Sequence, residues 1–298
     1  MNRLLKAGAF SGLLVSVAFG FESQLLRSPA GIEIEIVAPR VEPGQVLLAR
    51  IVGEASDVKK VLVRLGDDAY ELGPRDQDLE NFALIGLDLG LGPGSLELEM
   101  TVYYRTGRAE SSRHRLFVGA REFPQKKLWV KEEFVRPPPE VQERIRREAE
   151  LLDIIYSTSS RKWLGEGPFE RPHLGEMAPN FGEKRIYNNL PRSTHSGVDI
   201  AAPYGSPVRA ANAGRVVLAR DLYFSGKTVI IDHGLGLFTF YGHFSRLKVS
   251  RGAIVKKGEV IALAGSTGRS TGAHLHWGAK LSGNRVDPAS LLSLDLPE

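Results

Sequence analysis

A period-two alternation of apolar and polar residues, cut into short runs by glycine and proline, constrains this chain more than any other feature. Ile32-Glu33-Ile34-Glu35-Ile36-Val37 alternates apolar with acidic residues. Successive side chains on a strand face opposite sides, so such a run builds a sheet with one buried face. Residues 46–52 and 61–65 follow, Gly92-Pro93-Gly94 marks a turn, and residues 96–102 alternate again. Strands and turns at this spacing predict a β-sandwich-like N-terminal domain over residues 21–120. A second block of strands is predicted over 181–298, at residues 214–219, 228–232, 237–241 and 259–264, separated by glycine-containing turns. This C-terminal domain is expected to be an antiparallel β-sheet, and the whole chain mainly β.

Between the two blocks the period changes. Pro137-Pro138-Pro139 ends whatever precedes it, and Val141, Ile145, Ala149, Leu152 and Tyr156 then recur at helical spacing. Residues 157–180 are rich in glycine, proline and polar residues and read as a loop. Residues 121–180 are therefore expected to form a short helical and loop linker packed on one of the domains. His173 lies in that loop and is expected at the surface.

The first twenty residues have the pattern of an export signal. Arg3 and Lys6 precede an apolar run over 7–17, and Ala18-Phe19-Gly20 places small residues where a signal peptidase reads. The apolar stretch is shorter than the roughly 20 residues a membrane-spanning helix needs, so cleavage is expected rather than anchoring. No stable membrane span is expected after it is removed. The predicted location is outside the cytoplasm, in a periplasm or cell envelope. The chain has no cysteine, which excludes disulfides, thiol catalysis and cysteine-ligated zinc. A metal would have to be held by histidine and carboxylate.

Charge is divided unevenly. Residues 21–180 carry 22 Lys+Arg against 27 Asp+Glu, whereas residues 181–298 carry 15 against 8. A basic C-terminal half attracts an anionic polymer. Nucleic acid fits the sign but not the export signal, so no nucleic-acid partner is expected, whereas bacterial wall polymer fits both.

Five of the seven histidines fall between His195 and His276. In His274-Leu275-His276 a strand would put both imidazoles on one face and Leu275 in the core. Two imidazoles so placed can share a metal or divide the roles of ligand and base. His195 and Asp199 are four residues apart, but Pro191, Gly197 and Pro203 argue against a helix. His195 is expected on a loop and Asp199 on a strand, converging through the fold. Histidine with carboxylate is a good zinc donor set. His243 follows an apolar strand and is placed to face a cleft, while His233 reads as a structural turn residue. The Tyr241 hydroxyl is either an oxyanion donor or part of a core aromatic. Residues 265–272 resemble a phosphate loop but lack its Gly-Lys-Ser/Thr ending. There is no Gly-x-Ser-x-Gly elbow and no His-Glu-x-x-His helix.

Taken together, His195-Ser-Gly-Val-Asp199, Gly214-Arg-Val-Val, Ile231-Asp-His-Gly234, Tyr241-Gly-His243-Phe, Val255-Lys-Lys-Gly258 and Gly265 to His276 resemble the lysostaphin-type (LytM-like) zinc endopeptidases. The resemblance implies that residues 181–298 are a zinc metallopeptidase domain. It implies one zinc ion on His195, Asp199 and His276, and catalytic roles for His243 and His274. The implied substrate is the peptide cross-link of peptidoglycan. No SH3-like module follows, which favours a D,D-endopeptidase on directly cross-linked stems. The alternative is a non-catalytic envelope module that binds peptidoglycan or activates an amidase, a class in which metal ligands are lost. A biotinyl- or lipoyl-like carrier, suggested by residues 255–261, has no use for the histidines and aspartate. Envelope protein partners are expected through residues 21–160.

Overall fold

The computed structural model describes residues 15–18, 21–74 and 79–297. The expected leader over residues 1–20 lies mostly outside these. Within it, only Val15–Ala18 (β1) is described, paired antiparallel with Phe21–Arg27 (β2). The chain divides into two compact units.

The first unit takes in most of residues 15–120. Its further strands are Glu33–Ala38 (β3), Val46–Val52 (β4), Val58–Leu65 (β5), Asp68–Leu72 (β6), Phe82–Gly86 (β7), Gly94–Tyr104 (β8) and Ala109–Val118 (β9). They form one sheet in the order β1-β2-β3-β4-β7 and another in the order β6-β5-β8-β9. The predicted alternation is met by burial: Ile34, Ile36 and Ala38 are buried in β3, and Leu98, Met100, Val102 and Tyr104 in β8. Ser28 Oγ donates to Glu110 Oε1, and Gln24 Nε2 to the Arg115 carbonyl, joining the ends and edges of strands from the two sheets.

The second unit contains residues 121–297 with two short pieces, 43–46 and 86–91. It begins with Gln125–Leu128 (β10) and the helix Pro139–Tyr156 (α1). Lys184–Tyr187 (β11), Leu190–Thr194 (β12), Gly197–Ala201 (β13), Pro207–Arg209 (β14), Gly214–Leu222 (β15), Gly226–Gly234 (β16) and Leu237–Phe244 (β17) follow. Arg246–Leu247 (β18), Ile254–Val255 (β19), Val260–Leu263 (β20), His274–Leu281 (β21), Asn284–Val286 (β22) and the short helix Pro288–Leu291 (α2) complete it. The main sheet is antiparallel in the order β13-β21-β17-β16-β15-β19, with β22 beside β21. Two three-stranded sheets flank the sequence of this core, β14-β20-β18 and β10-β11-β12. In the latter, β10 runs parallel to β11.

The helix α1 forms where its spacing predicts, with Pro139 in its first turn, where the missing N–H costs nothing. It packs Leu151, Leu152, Ile155 and Tyr156 against Leu218, Leu222, Ile230 and Phe238 of the main sheet. The buried stripe differs from the expected one: Ala149 is exposed, while Glu148 and Ile155 are buried. Glu148 tolerates burial because Arg144 pairs with its Oε1 and the Tyr223 N–H donates to its Oε2. The segment expected as a linker thus rests on the second unit. Among the described residues, no helix is long and apolar enough to cross a membrane.

Candidate metal and catalytic centre

The main sheet assembles the site through register. Asp199 on β13 lies opposite His276 on β21, and Ala201 lies opposite His274. Because residues two apart on a strand share a face, Asp199, His274 and His276 all belong to one face, while Leu275 is fully buried on the other. Gly197 lies opposite Gly278. A Cβ at Gly197 would overlap the Trp277 carbonyl and the His276 ring, so this position must be glycine for His276 to lie where it does. His195, on the loop between β12 and β13 as expected, has its Nε2 2.9 Å from His276 Nδ1 and 3.1 Å from Asp199 Oδ1. His276 Nδ1 is also 3.1 Å from Asp199 Oδ1.

His243 reaches the same face by a local departure from strand geometry. Gly242 is the residue opposite His276, so simple alternation would send His243 to the other side. The pairing of β16 with β17 slips between Lys227 and Val229, leaving an extra residue on β17, and His243 there has φ 67°. A bulge of this kind re-aims a side chain. The left-handed backbone is costly for a residue with a Cβ. It is held by a hydrogen bond from the His243 N–H to the Ser225 carbonyl, 2.8 Å. The His243 ring centroid ends 4.8 Å from that of His274 and 6.1 Å from that of His276. The unusual backbone is that of the histidine itself, not of the neighbouring Gly242.

The protons of three imidazoles follow from their partners. His195 Nδ1 is 2.9 Å from the Asn180 carbonyl, His243 Nδ1 2.8 Å from the Thr267 carbonyl, and His274 Nδ1 2.9 Å from the Gly272 carbonyl. A carbonyl only accepts, so each Nδ1 carries the hydrogen and each Nε2 presents a lone pair. His274 Nε2 lies 3.7 Å from Asp199 Oδ1. Burial pushes the Asp199 carboxyl up, but hydrogen bonds and charge from His195 and His276 outweigh this and hold it well below the usual carboxylate range. Burial, reinforced by His274 and His276, pushes His243 down to about 3.

The centre therefore brings an ionised carboxylate together with one ring nitrogen from each of two imidazoles. His195, Asp199 and His276 offer three donor atoms within 4.8 Å of one another, a set suited to a metal ion. The hydrogen bond from His195 Nδ1–H to a backbone carbonyl is the outer support typical of a ligating imidazole.

Two supporting residues carry no motif of their own. Asn180 accepts the Asp199 N–H on its Oδ1, 3.1 Å, and donates from Nδ2 to Asp199 Oδ2, 3.0 Å. Arg185 donates from Nη2 to the same Oδ2, 2.6 Å, and from Nε to Glu183. Both hold Asp199 so that Oδ1 faces the histidines. The loop residues 176–180 run beside β13, with Met177 bridging to Ile200 and the Ala178 N–H donating to the Asp199 carbonyl. Nothing in the composition of that loop marked it as a support.

The remaining candidates separate cleanly. His233 is fully buried inside β16, not in a turn, and bonds the Ala213 carbonyl and Thr239 Oγ1. Tyr241 is fully buried, its hydroxyl accepting from the Ala211 N–H and Thr239, which makes it a core aromatic rather than an oxyanion donor. His173 is half-buried against Ser206 and the Gly175 N–H.

Comparison with known proteins places these features in a family. The description "Peptidase family M23" matches residues 193–288, which contain all five site residues. The DD-carboxypeptidase/endopeptidase Mpg of Neisseria meningitidis serogroup B is 44% identical over 104 residues, 35% of this chain and 24% of that protein. The peptidoglycan DD-endopeptidase ShyB of Vibrio cholerae is 41% identical over 123 residues, 41% of this chain and 28% of that protein. The chain thus matches about a quarter of the length of these curated relatives. A crystal structure of a Pseudomonas aeruginosa chain assigned to peptidase M23 is similar over much more. It is 30% identical with a TM-score of 0.63, covering 85% of this chain and 95% of that one. With both the site segment and most of the chain matched, the protein belongs to peptidase family M23.

Proposed function

We propose that this protein is a zinc-dependent endopeptidase that hydrolyses D,D peptide cross-links of peptidoglycan in cell-wall remodelling. One observation carries the reading: His195 Nε2, His276 Nδ1 and Asp199 Oδ1, three atoms of metal-ligating type from separate segments, converge at 2.9–3.1 Å. One zinc ion held by His195, Asp199 and His276 fits that donor set. When bound, zinc supplies a Lewis acid that polarises a scissile carbonyl and lowers the pKa of a water from 15.7 to about 7.

The chain's own groups would do the proton work. His243 and His274 each offer a bare Nε2, because their Nδ1–H groups are committed to carbonyls. Either can accept a proton from the attacking water and return it to the leaving amine. Burial keeps His243 neutral and its imidazolium strongly acidic, which suits donation to the leaving group once it has been charged. Arg185 and Asn180 keep the Asp199 carboxylate aligned throughout.

The relatives named as peptidoglycan DD-endopeptidases support the substrate, as does the basic charge of residues 181–298. On this reading residues 1–20 direct export, the protein acts in the periplasm or cell envelope, and residues 21–160 offer surface for envelope protein partners. The test is metal content together with digestion of purified sacculi. The wild type should bind one zinc per chain and release cross-link cleavage products, while His276→Ala should do neither. Product release by zinc-free His276→Ala at the wild-type rate would sink the mechanism.

A further inference from the structure

A second cation beside the site is treated differently from Arg185. Arg185 is neutralised by Asp199 and Glu183. Among the described residues no carboxylate pairs with Arg269. Its guanidinium is half-buried between two aromatic rings, 4.5 Å from the centroid of Tyr187 and 4.9 Å from that of Phe224. Burial lowers its pKa, with the charge of Arg185 adding to the effect. Arginine does not give up its proton in proteins, so the guanidinium stays charged there. The rings return part of the lost hydration, but neither carries a carboxylate to meet the charge.

The position of Arg269 is built rather than incidental. Its N–H donates to the Phe224 carbonyl at 2.7 Å. Gly268, with φ 72°, lies so close to Gly226 and Phe224 that a Cβ there would overlap their backbone. Thr267 Oγ1 accepts from the Lys227 N–H and donates to the Phe244 carbonyl. The same loop touches both proposed proton-transfer residues: the Thr267 carbonyl accepts from His243, and Ser270 Oγ lies 3.3 Å from His274 Nδ1. Arg269 is thus held between residues that contact the two histidines. Tyr187, against which it stacks, is two residues from Arg185. Exposed Lys126, Lys127 and Lys184 on β10 and β11 extend the positive charge.

We infer that Arg269 is a substrate-binding residue that receives a free carboxylate of the cross-linked peptide beside the scissile amide. The inference rests on the peptidase reading above. In a directly cross-linked D,D amide, the carbon that carries the amide nitrogen also carries a carboxylate, so such a group lies next to the bond that is cut. A planar guanidinium held rigidly by stacking binds a carboxylate through paired N–H donors, with little further ordering needed.

The experiment compares two synthetic cross-linked peptides, one with that carboxylate free and one with it converted to the primary amide. The wild type should cut the free acid with a kcat/KM about 10- to 100-fold higher than the amide, the range of one charge-assisted pair. Arg269→Gln should remove most of that preference through a raised KM on the free acid, while zinc content stays near wild type. Arg269→Lys, which keeps the charge and loses the fork, should retain a fraction of the preference. Equal cutting of acid and amide by the wild type would overturn the inference and leave the peptidase reading intact. An equal loss on both substrates in Arg269→Gln would also overturn it, making the residue a structural clamp. Failure of the wild type to cut either peptide would overturn the peptidase reading itself.

Discussion

Each unit holds a cluster of polar groups around a carboxylate, and the two clusters differ in the atoms they bring together. In the first unit Glu110 Oε1 accepts from Ser28 Oγ, the Ala30 N–H and the Tyr104 hydroxyl, and Oε2 pairs with Arg108. Every acceptor there meets a donor, and the cluster is complete as it stands. In the second unit His195 Nε2, His276 Nδ1 and Asp199 Oδ1 crowd together at 2.9–3.1 Å. Burial of polar groups is tolerated when they are paired and costly when they are not. The first cluster is explained by folding alone, whereas the second gathers three donor atoms suited to a metal ion. His233 belongs with the first kind although it lies in the second unit, since both of its ring nitrogens are occupied.

The sharpest way to break this contrast is to separate metal holding from proton transfer. His276→Ala should lose both zinc and activity. His243→Ala should keep zinc, as read by elemental analysis, yet lose about 10²- to 10⁴-fold in kcat. Equal zinc loss in the two variants would erase the division of roles.

The next effect concerns His233, which burial pushes down to about 4. The unfolded chain takes up this proton near pH 6.5 and the folded chain only near 4, so the folded state loses stability as pH falls through that window. Integrated over it, the loss approaches about 3 kcal/mol. In urea unfolding at pH 7 and pH 4.5, His233→Gln should be less stable than wild type at pH 7, and that gap should shrink at pH 4.5. A gap of constant size would refute the buried neutral histidine.

A smaller effect is expected at the support of Asp199. Arg185→Gln should weaken zinc binding by about 10- to 100-fold in competition with a chelator, with activity recovering at saturating zinc. Smallest is Glu110→Ala in the first unit, costing about 1–2 kcal/mol in denaturant unfolding without changing zinc affinity. If Glu110→Ala altered the metal site, the two clusters would not be independent.

The strands were largely legible because alternation needs only neighbours in sequence. Residues 96–102 lie inside β8, and residues 228–232 inside β16. The short strands β10 to β12 escaped, since four or five residues with Lys-Lys or Leu-Pro carry no clear period. Ala149 was placed on the buried face of α1 by its apolar character, while Glu148 took that place because Arg144 and the Tyr223 N–H met its charge. Tyr241 was left open because its hydroxyl partners, at Ala211 and Thr239, are set by neighbouring strands.

The histidine–aspartate centre shows where sequence ends. By itself the sequence determined the donor types, the absence of thiols, and the shared face of His274 and His276, because all of these are local. The tertiary structure decided the rest. Register set Asp199 against His276, a bulge with φ 67° turned His243 inward, and backbone carbonyls fixed which nitrogen of His195, His243 and His274 is bare. Among the described residues it also left Arg269 without a carboxylate while supplying two to Arg185. Charge matching and proton placement depend on atoms brought together from distant segments, and no spacing along a chain encodes that meeting.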